Sequence, residues 1–429
     1  MQSGGELRRT TLTGAMLPAQ VVRRAVAARD VVALWLVEPG TTQAPAPYRP
    51  GQVITLAVPA HSGTLYRSYS LSSDGSPDVP WEIIVKRQEA GAVSTFLCDR
   101  AVPGMVLSAT APRGTFTLPE PLSADEPLIF IAAGTGIAPC MGMLRTLAAA
   151  PQDRRPRAQL HYASRSDADV IYGRELAALA SGDGWLAVWH YLAAEGVRLS
   201  PRAVLDRAGT LAAAAQWYVC GQEKLQRSMQ EALARQSIAD ERIHTEVFEP
   251  EPERRSRSRP LTRGAVVGHV RIVETGALLD VRAEETLLAA LERQGQPMPS
   301  SCRAGECGIC AVQLLAGSVR DTGSALTSEE RAEGYVLACT ARPRGDVMLA
   351  VLGWGETDDG VRRRSARQTA TVALRVGMGV AAAAIFGAAL NATVHPARTS
   401  AVGPSISQPQ STGGQAGTSG FSTAPIHFG

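Results

Sequence analysis

The chain is short of the features that would narrow its function at once. Only 5% of its 429 residues are aromatic and 19% charged, and 43 Lys and Arg against 40 Asp and Glu leave a formal charge of +3. A balance so near zero creates no field that draws a nucleic acid or an acidic surface, so no nucleic-acid partner is expected. The first residues hold no basic stretch followed by an apolar segment, so export is not expected and a cytoplasmic location is. Cysteines number seven, few and odd. In a reducing compartment that excludes a disulfide framework and leaves metal ligands or redox centres as the reading of any cluster. Internal repeats are absent. What remains is an ordinary 45% of hydrophobic residues, with length for roughly two to four domains.

Between about residues 16 and 116, short apolar runs (31–37, 52–58, 65–71, 81–86, 105–109) are punctuated by Gly, Pro, Asp and Ser, which predicts a small antiparallel barrel. The pattern then changes. A continuous apolar run at 127–133 ends in Gly134-Thr135-Gly136 and passes into a helix-period segment through Leu147. Strand-like runs at 159–163, 186–191 and 217–220 alternate with helical stretches at 174–180 and 223–235, which predicts a doubly wound parallel sheet. Residues 249–263 hold prolines, glutamates and five arginines with almost no apolar group, the composition of a linker. Strand-like runs resume near Val266, followed by a helix at about 285–294 and a cysteine loop, an α+β pattern that continues to Leu352. After Gly353 come Arg362, Arg363, Arg364 and Arg367, an Ala- and Gly-rich apolar stretch, and a polar tail.

Cys302, Cys307 and Cys310 follow the spacing C-x4-C-x2-C, with Cys339 downstream, and this matches the plant-type 2Fe-2S pattern. Each iron of such a cluster needs two thiolates, and Gly305 and Gly308 let backbone amides turn toward the sulfides. Zinc is the alternative, although its knuckles come as paired C-x-x-C and only Cys307 and Cys310 form one. The segments Ser301-Cys302-Arg303-Ala304-Gly305-Glu306-Cys307-Gly308-Ile309-Cys310 and Leu337-Ala338-Cys339-Thr340 closely resemble plant-type ferredoxin domains, over about residues 266–352.

Further upstream, Arg67-Ser68-Tyr69-Ser70 lies in a barrel strand and offers a fork for a phosphate, a face for a ring and hydroxyls for ring nitrogens. A solvated strand is the bland alternative. Gly91-Ala92-Val93-Ser94 opens a helical segment, where amides bind anions such as a pyrophosphate. Gly134-Thr135-Gly136-Ile137-Ala138-Pro139 joins a buried strand to a helix, the context of a dinucleotide loop, and Cys220-Gly221 ends a later strand.

Together with Glu246-Val247-Phe248, these motifs resemble the ferredoxin-NADP reductase superfamily over about residues 17–248. With a ferredoxin domain behind them, the chain is similar to reductase components of oxygenase systems such as those of phthalate dioxygenase and phenylacetyl-CoA epoxidase, and to the reductase of the hybrid cluster protein. The resemblance implies a flavin-binding β-barrel (10–120), a doubly wound NAD(P)-binding α/β domain (121–248), a linker (249–264), a β-grasp 2Fe-2S domain (265–352) and a tail (353–429). It implies that Arg67, Ser68, Tyr69 and Ser70 hold the flavin, Gly91, Val93 and Ser94 its phosphate, and Gly134, Thr135, Gly136, Pro139, Gly221 and Phe248 the nucleotide region. Ser70 and Cys220 are the expected catalytic positions, and Cys302, Cys307, Cys310 and Cys339 the cluster ligands. Gln222 stands where the family usually has proline. FAD is favoured over FMN. Ser164 and Arg165 follow a strand where a 2′-phosphate could be met, with Asp167 and Asp169 nearby as the acidic alternative, so the expected donor is NADH or NADPH.

Hydride carries two electrons and a 2Fe-2S centre takes one, so a flavin between them splits the pair. The expected function is an NAD(P)H-dependent electron-transfer reductase serving a partner oxygenase or hydroxylase. A membrane-tethered component reducing a quinone or haem protein, or a redox sensor, are the alternatives. The tether is residues 370–390, whose unbroken apolar run (376–390) is shorter than the roughly 20 residues a span needs.

Overall fold

The computed structural model describes residues 16–60, 63–247, 265–296 and 298–351. Phe248, the segment 249–264 and the tail 353–429, with its 370–390 stretch, lie outside the described residues. Among the described residues no helix is long and apolar enough to cross a membrane.

Strands β1 (Met16–Ala28), β2 (Val31–Val37), β3 (Val53–Ala60), β4 (Gly63–Ser70), β5 (Trp81–Lys86) and β6 (Val106–Thr110) form an antiparallel sheet in the order β4-β3-β6-β1-β2-β5. A bridge from Leu71 to Ile83 joins its two ends, so the sheet closes into a barrel and hides its edges. Inward-facing Leu34, Leu36, Ile54, Leu56, Trp81 and Ile83 fill it, with Val93 and Leu97 of α1 (Ala92–Arg100) packed against them. β1 has no counterpart among the runs read from sequence, because along its whole length only Ala19 and Val21 are buried and the alternation is faint.

Strands β7 (Leu128–Ala133), β8 (Ala158–Ser164), β9 (Leu186–Leu192), β10 (Gln216–Gly221) and β11 (Ile243–Val247) run parallel in the order β11-β10-β7-β8-β9. Both faces are covered. Phe130, Tyr162 and Tyr218 pack against α2 (Ile137–Ala149), and Leu176 of α3 (Gly173–Ala180) joins the same cluster. Ile129, Ile131, Trp217 and Val219 pack on the other side against α4 (Pro201–Ala208) and α5 (Glu223–Arg235). The short helix α4 is invisible to periodicity because it buries only Val204 and Ala208; its start is set by Ser200, whose side chain accepts the Ala203 N–H, and by Pro201 in the first turn. The winding direction reverses between β7 and β10, which is where an open sheet of this kind binds its ligand.

The barrel and the parallel sheet share a charged junction. Glu82 of β5 accepts from Arg145 Nη1 at 2.5 Å and from the Tyr172 hydroxyl at 2.7 Å, while Arg145 also grips Glu175 with two bonds of 2.7 Å.

His161 on β8 is fully buried, stacked on Trp189 at 4.9 Å and bonded to the Tyr191 hydroxyl at 2.9 Å. Burial and the Arg207 charge push its pKa down to about 4. The folded chain therefore keeps His161 neutral while the unfolded chain takes a proton below about pH 6.5, so stability present above that pH is lost as pH falls toward 4. The expected loss is about 3 kcal/mol by pH 4. Urea unfolding of the wild type and of His161→Phe at pH 7 and at low pH checks it: the variant should lose this part of the pH dependence.

The last layer holds β12 (Val266–Ile272), β13 (Leu278–Arg282), β14 (Ala311–Ala316), β15 (Val319–Arg320), β16 (Tyr335–Leu337), β17 (Arg342–Pro343) and β18 (Val347–Ala350). Five form a mixed sheet, β13-β12-β18-β14-β16, with β12 and β18 parallel; β15 and β17 pair separately. Leu287, Leu288 and Leu291 of α6 (Leu287–Arg293) cover it, and α7 (Ser328–Ala332) carries a capping box between Thr327 and Glu330. This is the β-grasp arrangement, and the cysteine loop joins α6 to β14.

Candidate functional site

One cleft of about 1010 Å³ runs from the barrel across the strand ends of the parallel sheet to the cysteine loop. That is at the upper end of the roughly 300–1,000 Å³ of small-molecule sites, room for a dinucleotide. Arg67, Ser68, Tyr69, Ser70, Ser94, Gly134, Thr135, Ser164, Arg165, Gly221 and Cys302 all line it. Four consecutive residues of β4 border it, and Ser68 and Ser70, two apart, share one face. Ser68 meets the Ser301 hydroxyl of the cysteine loop at 2.9 Å, and Ser70 donates to Glu246 of β11 at 3.2 Å. Tyr69 packs against the barrel core and still borders the cleft, and burial pushes its phenol pKa up. Arg67 donates to the Tyr66 carbonyl at 2.7 Å.

The Gly91–Ser94 turn is tighter than its sequence indicates. Ser94 donates to the Gly91 carbonyl and accepts the Gln88 N–H, both at 3.1 Å, and a Cβ on Gly91 would lie 2.5 Å from the Ser94 oxygen. A side chain at Gly91 would therefore displace the Ser94 hydroxyl that ties this turn together. The Val93 side chain faces the barrel core, not the cleft.

On the nucleotide side, Gly134 adopts φ +56°, a left-handed value that glycine tolerates without strain. Gly136 has a different reason: a Cβ there would lie 2.5 Å from the Cys220 carbonyl oxygen, so the turn after β7 rests on the end of β10. Pro139 is buried in the first turn of α2, where its missing N–H costs nothing. Gln222 has φ −66°, the value a proline would impose, so the turn into α5 forms without one. Arg165 is already engaged by Asp169 at 2.6 Å, and Ser166 holds the other carboxylate oxygen at 2.6 Å.

Cys220 lies beneath the cleft floor. Its thiol faces Glu246 Oε2 at 3.7 Å, and burial, then the Glu246 charge, push its pKa well up, so it is a neutral thiol and no nucleophile. Glu246 is 4% exposed and joins Ser70 to Cys220. Burial and the neighbouring Glu306 charge raise its pKa well above the usual carboxylate range.

In the cysteine loop the thiols interact as two pairs, Cys302 with Cys307 and Cys310 with Cys339. The neighbouring Cys302 lowers the pKa of the Cys307 thiol. Backbone N–H groups of Ala304 and Cys307 point at the Cys302 sulfur at 3.5 and 3.3 Å. Gly305 and Gly308 have φ of +77° and +74°, and a Cβ on Gly305 would meet Gly323 at 2.5 Å. Two thiol pairs in an amide-lined loop fit a two-iron cluster with two thiolates per iron. Among the described residues no three ligating side chains converge as a single-ion site would require.

Comparison with known proteins agrees with this geometry. Residues 18–118 match the oxidoreductase FAD-binding domain, 130–231 the oxidoreductase NAD-binding domain and 270–344 the 2Fe-2S iron-sulfur cluster binding domain. The ferredoxin reductase component of 3-ketosteroid-9-alpha-monooxygenase from Rhodococcus rhodochrous is 32% identical over 312 residues, spanning 70% of this chain and 86% of that protein. The chain belongs to this reductase family. The reductase is likewise 30% identical over 333 residues to the glycine betaine monooxygenase reductase subunit of Pseudomonas aeruginosa, covering 70% of the one and 87% of the other. Phthalate dioxygenase reductase shares its fold, with a TM-score of 0.51 at 23% identity over 79% of the reductase and 98% of that chain. The reductase is therefore an oxidoreductase that uses FAD, NAD(P)H and a 2Fe-2S cluster, in keeping with the preference for FAD over FMN and for a cluster over zinc.

Glu246 belongs to the closing Glu246-Val247-Phe248 motif, but sequence reading gave its carboxyl group no role, since Ser70 and Cys220 reach it only in the fold. Glu82, Arg145 and Tyr172 left no signal, since they meet only across the fold.

Proposed function

We propose that the reductase passes electrons from NAD(P)H to a separate oxygenase or hydroxylase, with residues 10–120 as the flavin domain, 121–248 as the nucleotide domain and 265–352 as the electron outlet. The observation that carries this reading is the single cleft bordered by β4, the β7 turn and Cys302. FAD, when bound, takes a pair of electrons and gives them up singly, and the cluster carries one at a time.

The chain's own part is positioning. Arg67 would meet a flavin phosphate, Tyr69 lie against the ring system, and Ser70 donate toward a ring nitrogen. The N-terminal turn of α1 behind Ser94 would take the pyrophosphate. Gly134, Thr135 and Gly136 admit the nicotinamide nucleotide at the switch point, and Cys220 fills the space beside its ring without charge. Glu246 fixes the Ser70 hydroxyl and the Cys220 thiol from one carboxyl group, holding the faces of two domains in register. A 2′-phosphate has to draw Arg165 away from Asp169, which favours NADH over NADPH. Cys302, Cys307, Cys310 and Cys339 would hold the cluster, with loop amides spreading its charge. The partner is an oxygenase component by analogy with the relatives' names.

Anaerobic addition of NADH, and separately of NADPH, to the purified chain tests the reading. Bleaching of both the flavin and the cluster supports it; a preparation that neither nucleotide bleaches sinks it.

A further inference from the structure

The ferredoxin domain meets the barrel through a small surface of distinct composition. Val53 and Tyr66 of the barrel pack against Cys302, Cys307 and Ile309, and Ile309 is only 1% exposed. A polar rim surrounds this centre. Arg113, just after β6, donates to both Glu330 oxygens at 2.9 and 2.7 Å and to the Ala325 carbonyl at 2.9 Å. Its side chain lies across the cysteine loop, so close that a Cβ on Gly308 would stand 2.7 Å from its Cδ. The Ser68 and Ser301 hydroxyls meet at 2.9 Å on the same face.

A few apolar groups inside a polar rim describe a reversible interface, unlike the continuous core of a fused domain. Glu330 is also fixed from within its own domain, because it accepts the Thr327 N–H at 2.9 Å as part of the α7 capping box. The carboxylate therefore keeps its place whether Arg113 is present or not. Ile309 places an apolar side chain beside the thiols at the same spot, so the face offers a fixed anion next to an apolar knob, directly over the cluster loop.

We propose that the ferredoxin domain uses this one face in turn for the barrel and for its electron acceptor, with Arg113 as the latch. The acceptor then presents a cation beside an apolar patch, standing in for Arg113, Val53 and Tyr66. This rests on the reading of the chain as a reductase for a separate acceptor. For each NAD(P)H oxidised, two acceptor molecules gain one electron each and one proton is released.

Cytochrome c, a basic haem protein, serves as the probe acceptor. Arg113→Ala removes the internal competitor, so amide hydrogen exchange at residues 306–312 should rise, reduction of the cluster by NAD(P)H should slow several-fold, and KM for cytochrome c should fall about fivefold, the scale of one rim charge contact. Glu330→Gln keeps the capping box, which glutamine also satisfies, and should raise that KM by a similar factor. Unchanged exchange in Arg113→Ala overturns the latch. An unchanged KM in either variant overturns the shared face, and the acceptor then draws electrons from the docked domain on the Cys339 side. A wild type whose cluster NAD(P)H fails to reduce would instead sink the reductase reading itself.

Discussion

Cys310→Ala is expected to leave flavin bleaching by NAD(P)H intact while cytochrome c reduction falls roughly a hundredfold or more, because the chain then has no one-electron outlet. Cys310 and Cys339 form one of the two thiol pairs, and a lone thiolate cannot hold the second iron. The side chain is 2% exposed within the ferredoxin core, and trading a thiol for a methyl leaves only a small cavity. Iron analysis, the visible spectrum and the rate with a small acceptor that reaches the flavin directly check the result: iron lost, flavin kept, small-acceptor activity preserved. Full cytochrome c activity in an iron-free variant would show that electrons bypass the ferredoxin domain.

Glu82→Ala is expected to cost about 3 kcal/mol, at the lower end of what breaking a buried ion pair does. Glu82 is 3% exposed and accepts from both Arg145 and Tyr172. Arg145 retains its two bonds to Glu175, and Tyr172 its bond to Ser72 at 2.9 Å, so the loss stays below the full cost of an isolated charge. In thermal unfolding this corresponds to a drop of about 6–12 °C for the barrel and nucleotide unit. Glu82→Gln, which keeps shape and one acceptor, should fall by less than half as much. Equal midpoints for the alanine variant and the wild type would show that the junction contributes nothing to cohesion.

Much of this architecture was legible because strands with both faces buried read as plain apolar runs. β2, β5 and α5 carry the same boundaries in the sequence pattern and in the structure. The cysteine spacing is equally local, since one tight loop must bring three thiols together. β1 was hidden because an outward-facing strand with Arg23 and Arg24 has little contrast, and α4 because so few of its residues are buried. The groups that join the layers were hidden for another reason. Arg113 and Glu330 lie 217 residues apart, and Ser70 and Glu246 176 apart, so nothing in the local pattern announces either meeting. Ser94 shows the converse limit: its residue type suggested a ligand contact, and its hydroxyl is engaged by the turn that contains it.

The central claim is that a pair of electrons enters at the nucleotide cleft and leaves singly through iron. An anaerobic titration of the purified chain with NADH, followed by visible absorption and by electron paramagnetic resonance, tests it most directly. Two electrons on the flavin and one on the cluster require about 1.5 equivalents of NADH for complete reduction, and the reduced cluster should give a paramagnetic signal. An end point near one equivalent with a silent, unreduced cluster would contradict the account.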